Sequence, residues 1–167
     1  GFEALVRRHE AAVFSHVLRM VRNRDDAMEL AQDTFLKAYR HLAQYDPSRS
    51  FRTWLLTIAT NTALNRLESR RVRRLAEAVI EENIRREEYA RVGPLSPSEE
   101  AGRREMLELI EDSLRKVSAK ARAMFMLRYN HGLSCEEIAR AMGETVSNVK
   151  VSLLRTRERL RRELQVE

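Results

Sequence analysis

Residues 133–162 are LSCEEIARAMGETVSNVKVSLLRTRERLRR, a stretch that encodes two helices joined by a tight turn. Ser134 and Glu137 have the spacing of a capping box, which satisfies backbone N–H groups that the first helical turn leaves unpaired. Three apolar residues share one face of this helix: Ile138, Ala139 and Met142. Gly143 supplies the permissive backbone that a helix C-terminus commonly needs. The pattern predicts a helix-turn-helix motif.

The second helix of this motif carries a strong positive charge. Thr145 is its predicted N-cap, and an apolar stripe follows: Val146, Val149, Leu153 and Leu160. From Thr145 to Arg162, six Lys or Arg stand against one acidic residue, a charge of about +5. The alternative is a solvated basic surface, although an exposed helix usually mixes its charges. Lys150 and Arg155 lie on neighbouring faces, with Val151 and Leu154 between them able to contact thymine methyl groups.

The composition favours an all-α protein with an anionic partner. The 167 residues are 43% hydrophobic, with five Gly, three Pro, a net charge of +6 and a pI near 10.0. Nucleic acid is favoured over a membrane, because no basic helix carries a broad aromatic-rich face and no apolar run approaches membrane-spanning length. The single Cys135 excludes an internal disulfide and fits a reducing, cytoplasmic setting.

The first half of the chain predicts two amphipathic helices before a break. Residues 2–21 carry apolar residues at helical spacing. The helix that starts at Asp25 has a predicted inner face of Ala27, Leu30, Ala31, Phe35, Ala38, Tyr39 and Leu42. Its outer face is mostly acidic: Asp26, Glu29, Gln32, Asp33 and Lys37. An acidic face in a basic protein suggests a protein partner, and the alternative is a solvated surface.

A third helix follows the break at Tyr45–Ser50. Its predicted buried stripe is Phe51, Trp54, Leu55, Ile58, Ala59 and Thr62. For Trp54 we expect core packing rather than base stacking. From Asn61 to Leu75, five Arg stand against one Glu, and Asn61 and Asn65 lie one turn apart. Such amides are suited to contacting base edges while arginines hold phosphates.

The charge then reverses, which predicts a linker between two small helical domains. Residues 76–100 carry seven Glu against three Arg and include Pro94 and Pro97. We therefore divide the chain into domains at 1–75 and 101–167, joined by the linker at 76–100. The second domain has about four predicted helices, one of them marked by Met106, Leu107, Ile110 and Leu114. The next is capped by Ser118 and has Ala121, Met124, Phe125 and Arg128 near its inner edge.

No pattern in the sequence indicates catalysis or metal binding. His9 and His16 lie seven apart on the first helix without a third ligand, so we expect surface or boundary positions for both. A helical metal-dependent hydrolase would need Glu-x-x-His ligands on facing helices, and none is present. We predict a non-enzymatic protein with no catalytic residues, metal or cofactor. A helix-turn-helix regulator that binds DNA as a dimer and a simple interaction module remain alternatives.

Three segments in order carry a resemblance to a known family: QDTFLKAYR (32–40), FRTWLLTIATNTALNRL (51–67) and RYNHGLSCEEIARAMG (128–143). They resemble regions two and four of the extracytoplasmic-function (ECF, group 4) sigma factors of bacterial RNA polymerase, in the sigma-70 family. The resemblance implies a promoter-specificity subunit that directs core polymerase to promoters, helps to open the DNA for transcription initiation, and is regulated by an anti-sigma factor. It implies contacts with the clamp helices of the largest polymerase subunit and the flap of the second-largest.

The resemblance also implies roles for individual residues. Polymerase binding would fall to Asp26, Glu29, Gln32 and Asp33. The minus-ten element would be bound by Ser48, Phe51, Asn61, Asn65, Arg66 and Arg70. The minus-thirty-five element would be bound by Arg128, Lys150, Val151, Leu154, Arg155 and Arg159. Where the family often has Gly-Thr-Val-Lys-Ser-Arg, this chain has Ser147-Asn148-Val149-Lys150-Val151-Ser152, so the preferred minus-thirty-five sequence cannot be transferred.

Overall fold

The computed structural model describes residues 1–80 and 101–164, with side chains from 1–77 and 104–164. These residues form seven α-helices and one short 3-10 helix, without a strand, so the predicted all-α class is confirmed. The helices are α1 (Phe2–Val21), α2 (Arg24–Arg40), the 3-10 helix (Leu42–Gln44), α3 (Phe51–Ile80), α4 (Ala101–Arg115), α5 (Ala119–Tyr129), α6 (Cys135–Met142) and α7 (Val146–Leu164).

Backbone proximity divides the chain into two compact units, Gly1–Val92 and Gly93–Glu167. Residues 76–80, at the start of the predicted linker, belong to the end of α3. The remainder of that linker, residues 81–100, lies outside the described residues.

The N-terminal unit is a three-helix bundle in which α1, α2 and α3 all pack against one another. Its core includes fully buried residues from every helix: Val13, Val17, Met20, Leu30, Leu55, Leu56 and Ala59. Burying each large aliphatic side chain contributes about 1.5–3 kcal/mol. The prediction that Tyr39 lies inside is wrong, because its side chain is 64% exposed and Thr34 is buried instead. The buried face of α2 follows the register of Ala27, Leu30, Thr34 and Ala38, and Tyr39 lies one residue, about 100°, beyond it.

His16 is a second correction, because it lies in the core rather than at the surface. It is 1% exposed, and its Nε2 is 2.8 Å from the hydroxyl of Thr60, which is itself fully buried. The Thr60 hydroxyl donates to the carbonyl of Leu56 at 2.7 Å, so the imidazole N–H donates to the Thr60 oxygen. This hydrogen bond joins α1 to α3 and offsets the free-energy cost of burying the polar imidazole ring.

The C-terminal unit confirms the predicted caps. Ser118 accepts from Ala121 N at 3.1 Å, and the Ser134–Glu137 capping box has both bonds, at 3.1 and 3.0 Å. Gly143 takes the left-handed conformation with φ of 64°, and Thr145 accepts from Asn148 N at 3.1 Å. The buried core comes from several helices: Leu114, Met124, Leu127, Ile138, Val149, Leu153 and Leu160.

Two of the apolar residues that marked the predicted α4, Met106 and Leu107, are 46% and 54% exposed. In the described part of α4, only Ser113 and Leu114 near its C-terminus are buried, where the helix contacts α5 and α7. Arg128 was expected near the inner edge of α5 and is exposed. Periodicity alone identifies an apolar stripe but not the length of helix that a neighbour covers.

Candidate functional site

One exposed face of α7 combines positive charge with apolar side chains. Lys150, Val151, Leu154 and Arg155, which we call the recognition face, are all exposed, with Val151 at 45% and Leu154 at 47%. The helix is held from behind by Val149 and Leu153, which are buried. Within the described residues, Lys150 and Arg155 have no ion-pair partner. The face can therefore offer cations to phosphates and methyl groups to thymine.

The two other residues expected at the minus-thirty-five element have intramolecular partners. Arg128 donates from Nη1 to the carbonyl of Leu133 at 2.9 Å, which braces the turn before α6. Arg159 pairs with Glu163 at 3.1 Å. A hydrogen bond from Ser113, and then Lys116 and Arg159, lower the pKa of Glu163. Arg159 is thus partly neutralised, whereas the recognition face is not.

Glu144, which the sequence analysis did not select, links three helices around the helix-turn-helix. It lies between α6 and α7, forms an ion pair with Lys120 of α5, and accepts from Asn148 Nδ2 at 3.2 Å. These partners, Lys120 first, lower the pKa of the Glu144 carboxyl. Glu144 therefore orients the first turn of α7 relative to α5.

The loop before α3 is built on an aromatic cluster formed by Tyr45, Phe51 and Trp54. The three rings lie 5.2–5.6 Å apart, and His9 of α1 lies 5.5 Å from Phe51. Trp54 is half-buried in this cluster. Burial, and then the charges of Arg8 and Arg52, lower the pKa of His9. Phe51, a predicted minus-ten residue, therefore supports the loop from within.

Ser48 lies on the exposed part of this loop, where Asp46 fixes its orientation. The Asp46 carboxylate accepts from the Ser48 backbone N–H at 2.9 Å and from its hydroxyl at 2.7 Å. These bonds, and then the charge of Arg49, lower the pKa of Asp46. The Ser48 hydroxyl donates its only proton to Asp46, so its oxygen can act toward a ligand only as an acceptor.

The polar residues predicted to contact the minus-ten element divide into two groups on α3. Asn61 and Asn65 are exposed. Arg66 and Arg70 instead contact carboxylates of α2, forming with Asp26 and Glu29 what we call the ion-pair cluster. Arg66 Nη2 lies 2.8 Å from Glu29 and Arg66 Nη1 lies 3.5 Å from Asp26, while Arg70 pairs with the other oxygen of Asp26. A hydrogen bond to Glu29 is the main cause that raises the pKa of Arg66.

The ion-pair cluster changes the expected acidic face of α2. Asp26 was expected to point outward, but its side chain is only 16% exposed between the two arginines of α3. Glu29 is exposed while paired with Arg66, Gln32 is exposed, and Asp33 is half-buried. The structure therefore joins two sets of predicted site residues that the sequence analysis had assigned to different partners.

An apolar groove of about 770 Å³ between α1 and α2 was missed by the sequence analysis. Its main lining residues are Phe2, Val6, Phe14, Met28, Leu36 and Tyr39. Met28 and Leu36 are 55% and 54% exposed. The signal in the sequence was a second set of apolar residues on α2, away from the face that packs on α3. Exposed apolar side chains that line a groove are typical of a site for a partner helix.

The described residues contain no cluster of His, Cys, Asp or Glu that could hold a metal ion. No helix among them has the length and apolar character needed to cross a membrane.

Comparisons with known proteins cover both units. Residues 5–73 match Sigma-70 region 2, and residues 107–160 match Sigma-70, region 4. The chain is 31% identical to the RNA polymerase sigma-H factor of Pseudomonas aeruginosa, over 99% of this chain and 86% of that protein. It is 32% identical to the ECF RNA polymerase sigma-E factor of Salmonella typhimurium, over 99% and 87%.

Two solved structures are also similar. The sigma factor RpoE, crystallised with the anti-sigma factor NepR from Bartonella quintana, has a TM-score of 0.75 at 23% identity and supports the fold. That match covers 99% of this chain and 98% of the other. CnrH, solved in complex with the cytosolic domain of CnrY, has a TM-score of 0.65 at 26% identity, over 99% and 88%.

Proposed function

Because the chain belongs to the ECF sigma factors of RNA polymerase, we propose that its two helical units divide promoter recognition between them. Residues 1–75 act as region 2, which binds core polymerase and the minus-ten element, and residues 101–167 act as region 4, which binds the minus-thirty-five element. Residues 76–100 are the linker. The chain itself is not an enzyme, and it acts in the cytoplasm with the polymerase. A dimeric helix-turn-helix regulator is not favoured, since both halves match sigma regions.

The recognition face of α7 is the observation that carries the proposal for region 4. Lys150 and Arg155 flank Val151 and Leu154 on an exposed face, while the opposite side of α7 is buried. A helix held in this way can enter the major groove with cations and apolar groups toward the bases. Arg128 and Arg159 lie outside this face and contribute phosphate contacts.

For the minus-ten element, the proposal combines the exposed surface of α3 with the preceding loop. Asn61 and Asn65 offer amide donors and acceptors, and Ser48 offers a hydroxyl oxygen. Phe51 supports the loop through the aromatic cluster. Arg66 and Arg70 are the proposed phosphate contacts, although both pair with carboxylates of α2 in the free chain.

Polymerase docking is proposed for the outer surface of α2, where Glu29, Gln32 and Asp33 remain accessible in part. The proposed partner of this surface is the pair of clamp helices of the largest polymerase subunit. Region 4 is proposed to contact the flap of the second-largest polymerase subunit. An anti-sigma factor is the proposed regulator, because the similar sigma factor RpoE was crystallised with the anti-sigma factor NepR. A helix of this anti-sigma factor would bind in the apolar groove between α1 and α2 and cover it.

Run-off transcription with purified core polymerase on genomic fragments tests the function directly. The wild-type chain should confer transcription from a defined set of promoters, whereas core enzyme alone should not. Absence of promoter-dependent transcription at saturating protein would contradict the assignment.

The recognition face is tested by Arg155→Ala, with Arg157→Ala as the matched control. Both arginines are exposed on α7 and carry the same charge, but Arg157 lies about two turns beyond Lys150 along the helix, past the four residues of the recognition face. If Arg155 contacts a guanine, its replacement should cost about 1–3 kcal/mol of binding on promoters that carry this base and little on others. Arg157→Ala should act weakly and without sequence preference. An equal loss for both variants on every promoter would reduce Arg155 to a general phosphate contact.

Polymerase docking is tested by the charge-reversing substitution Asp33→Lys. The control is Asp25→Lys on the same helix. The first variant should weaken pull-down with core polymerase, while circular dichroism remains that of the wild type. Undiminished assembly would mean that this face of α2 is only solvated surface.

A further inference from the structure

The two arginines of the ion-pair cluster have two competing partners, the carboxylates of α2 and the phosphates of DNA. Arg66 and Arg70 are proposed phosphate contacts of α3, yet both are bound to carboxylates of α2 in the free chain. A guanidinium holds a carboxylate and a phosphate through the same N–H groups. A DNA phosphate therefore reaches Arg66 only by replacing a carboxylate that is already there.

The two carboxylates differ in how readily they can be replaced. Asp26 is 16% exposed and contacts both arginines, so it is enclosed by the cluster. Glu29 is 59% exposed and contacts Arg66 alone. An exposed pair with one contact is weak and exchanges with other ions, whereas a partly buried carboxylate with two partners is held. Glu29 is therefore the exchangeable ligand of Arg66.

The geometry at Arg66 permits this exchange without loss of orientation. Its Nη2 faces Glu29 at 2.8 Å, while its Nη1 faces Asp26 at 3.5 Å. When Glu29 leaves Nη2, Asp26 still holds the other side of the guanidinium. The freed N–H group then points to the surface that Glu29 occupied, where a phosphate can bind.

We propose that Glu29 is a built-in competitor of DNA for Arg66, and that polymerase relieves this competition by engaging Glu29. This inference rests on the proposed function, in which α3 contacts minus-ten DNA and the outer surface of α2 contacts polymerase. One carboxylate cannot serve Arg66 and a basic group of polymerase equally well at the same time. Assembly with the core enzyme thus makes Arg66 available to a promoter phosphate, and the free chain binds DNA poorly.

The test compares Glu29→Gln with Asp25→Asn. Both variants remove one negative charge from the N-terminal half of α2, but exposed Asp25 has no ion-pair partner among the described residues. Affinity for a labelled oligothymidylate is measured by fluorescence anisotropy at low salt, because a phosphate contact needs no particular base. All proteins carry Lys150→Ala and Arg155→Ala to weaken binding through α7, and circular dichroism checks their folding.

Glu29→Gln should tighten binding by the free chain between about 1.5-fold and 5-fold, the range for loss of an exposed ion pair. Asp25→Asn should give a clearly smaller gain. Adding Arg66→Gln to Glu29→Gln should abolish the gain, because the freed guanidinium is then absent. Equal gains from Glu29→Gln and Asp25→Asn, or a gain that survives Arg66→Gln, would show a general charge effect and overturn the inference.

The second arm uses the same variants with core polymerase in excess, so that every chain is assembled. The gain from Glu29→Gln should disappear there, since polymerase has already removed Glu29 from Arg66. A gain of the same size with and without core polymerase would refute the coupling. If the wild-type chain neither assembles nor directs transcription, the proposed function fails. If it does both and Glu29→Gln changes nothing in the free chain, only this inference fails.

Discussion

Replacement of Asp26 by Asn should destabilise the N-terminal unit, although Asp26 lies on the helix surface by sequence pattern. Its carboxylate is 16% exposed and pairs with Arg66 and Arg70. An exposed ion pair contributes about 0.2–1 kcal/mol, whereas removing one partner of a fully buried pair costs about 3–5 kcal/mol. A partly buried carboxylate with two partners lies between these limits, so we expect a loss of about 1–3 kcal/mol. The control Asp25→Asn should change stability by less than about 0.5 kcal/mol.

The control is closely matched, because Asp25 and Asp26 both lie in the first turn of α2 and interact similarly with the helix dipole. Urea denaturation followed by tryptophan fluorescence is the appropriate assay. Trp54 is the only tryptophan and belongs to the N-terminal unit, so the signal reports on that unit alone. Equal midpoints for wild type and Asp26→Asn would refute the reasoning, and so would equal losses for the two variants.

Three further predictions concern other parts of the chain. Asn61→Ala should spare stability and polymerase binding but impair promoter opening, measured by permanganate reactivity of unpaired thymines; normal opening would remove Asn61 from the minus-ten site. Ser134→Ala should cost the C-terminal unit about 0.5–2 kcal/mol in thermal unfolding by loss of its cap, whereas Ser147→Ala, at an exposed position of α7, should not. His9 should titrate in NMR below its ordinary pKa, chiefly through burial and then through nearby arginines, and Arg52→Gln should raise the value. Because this folded-state pKa is lowered, the unfolded chain takes up the proton first, and the contribution of His9 to stability should fall as pH decreases below about 6.5; a titration at or above that value would contradict the argument.

The local structure of the C-terminal unit could be predicted from the sequence alone. The caps at Ser118, Ser134 and Thr145 and the left-handed Gly143 all occur where the residue pattern indicated. Each depends on residues only three or four positions apart, whose proximity is dictated by the helix itself. Val149, Leu153 and Leu160 of the predicted stripe of α7 are buried, as the same helical period indicated, whereas Val146 is half-buried. The exposed recognition face could also be predicted, as the side of α7 that remains once the apolar stripe is buried. The base sequence that this face prefers could not be predicted.

Contacts between helices were decided by the tertiary structure. His16 and Thr60, like Asp26 and Arg70, are separated by 44 residues, and each pair meets because two helices pack at one particular rotation. Periodicity defines which residues share a helix face, but the rotation of each helix about its axis depends on all its neighbours at once. The sequence therefore identified the acidic α2 and the basic α3 as charged helices. Only their packing turned Asp26 inward onto Arg66 and Arg70, left Glu29 at the edge, and exposed the apolar groove on the opposite side of α2.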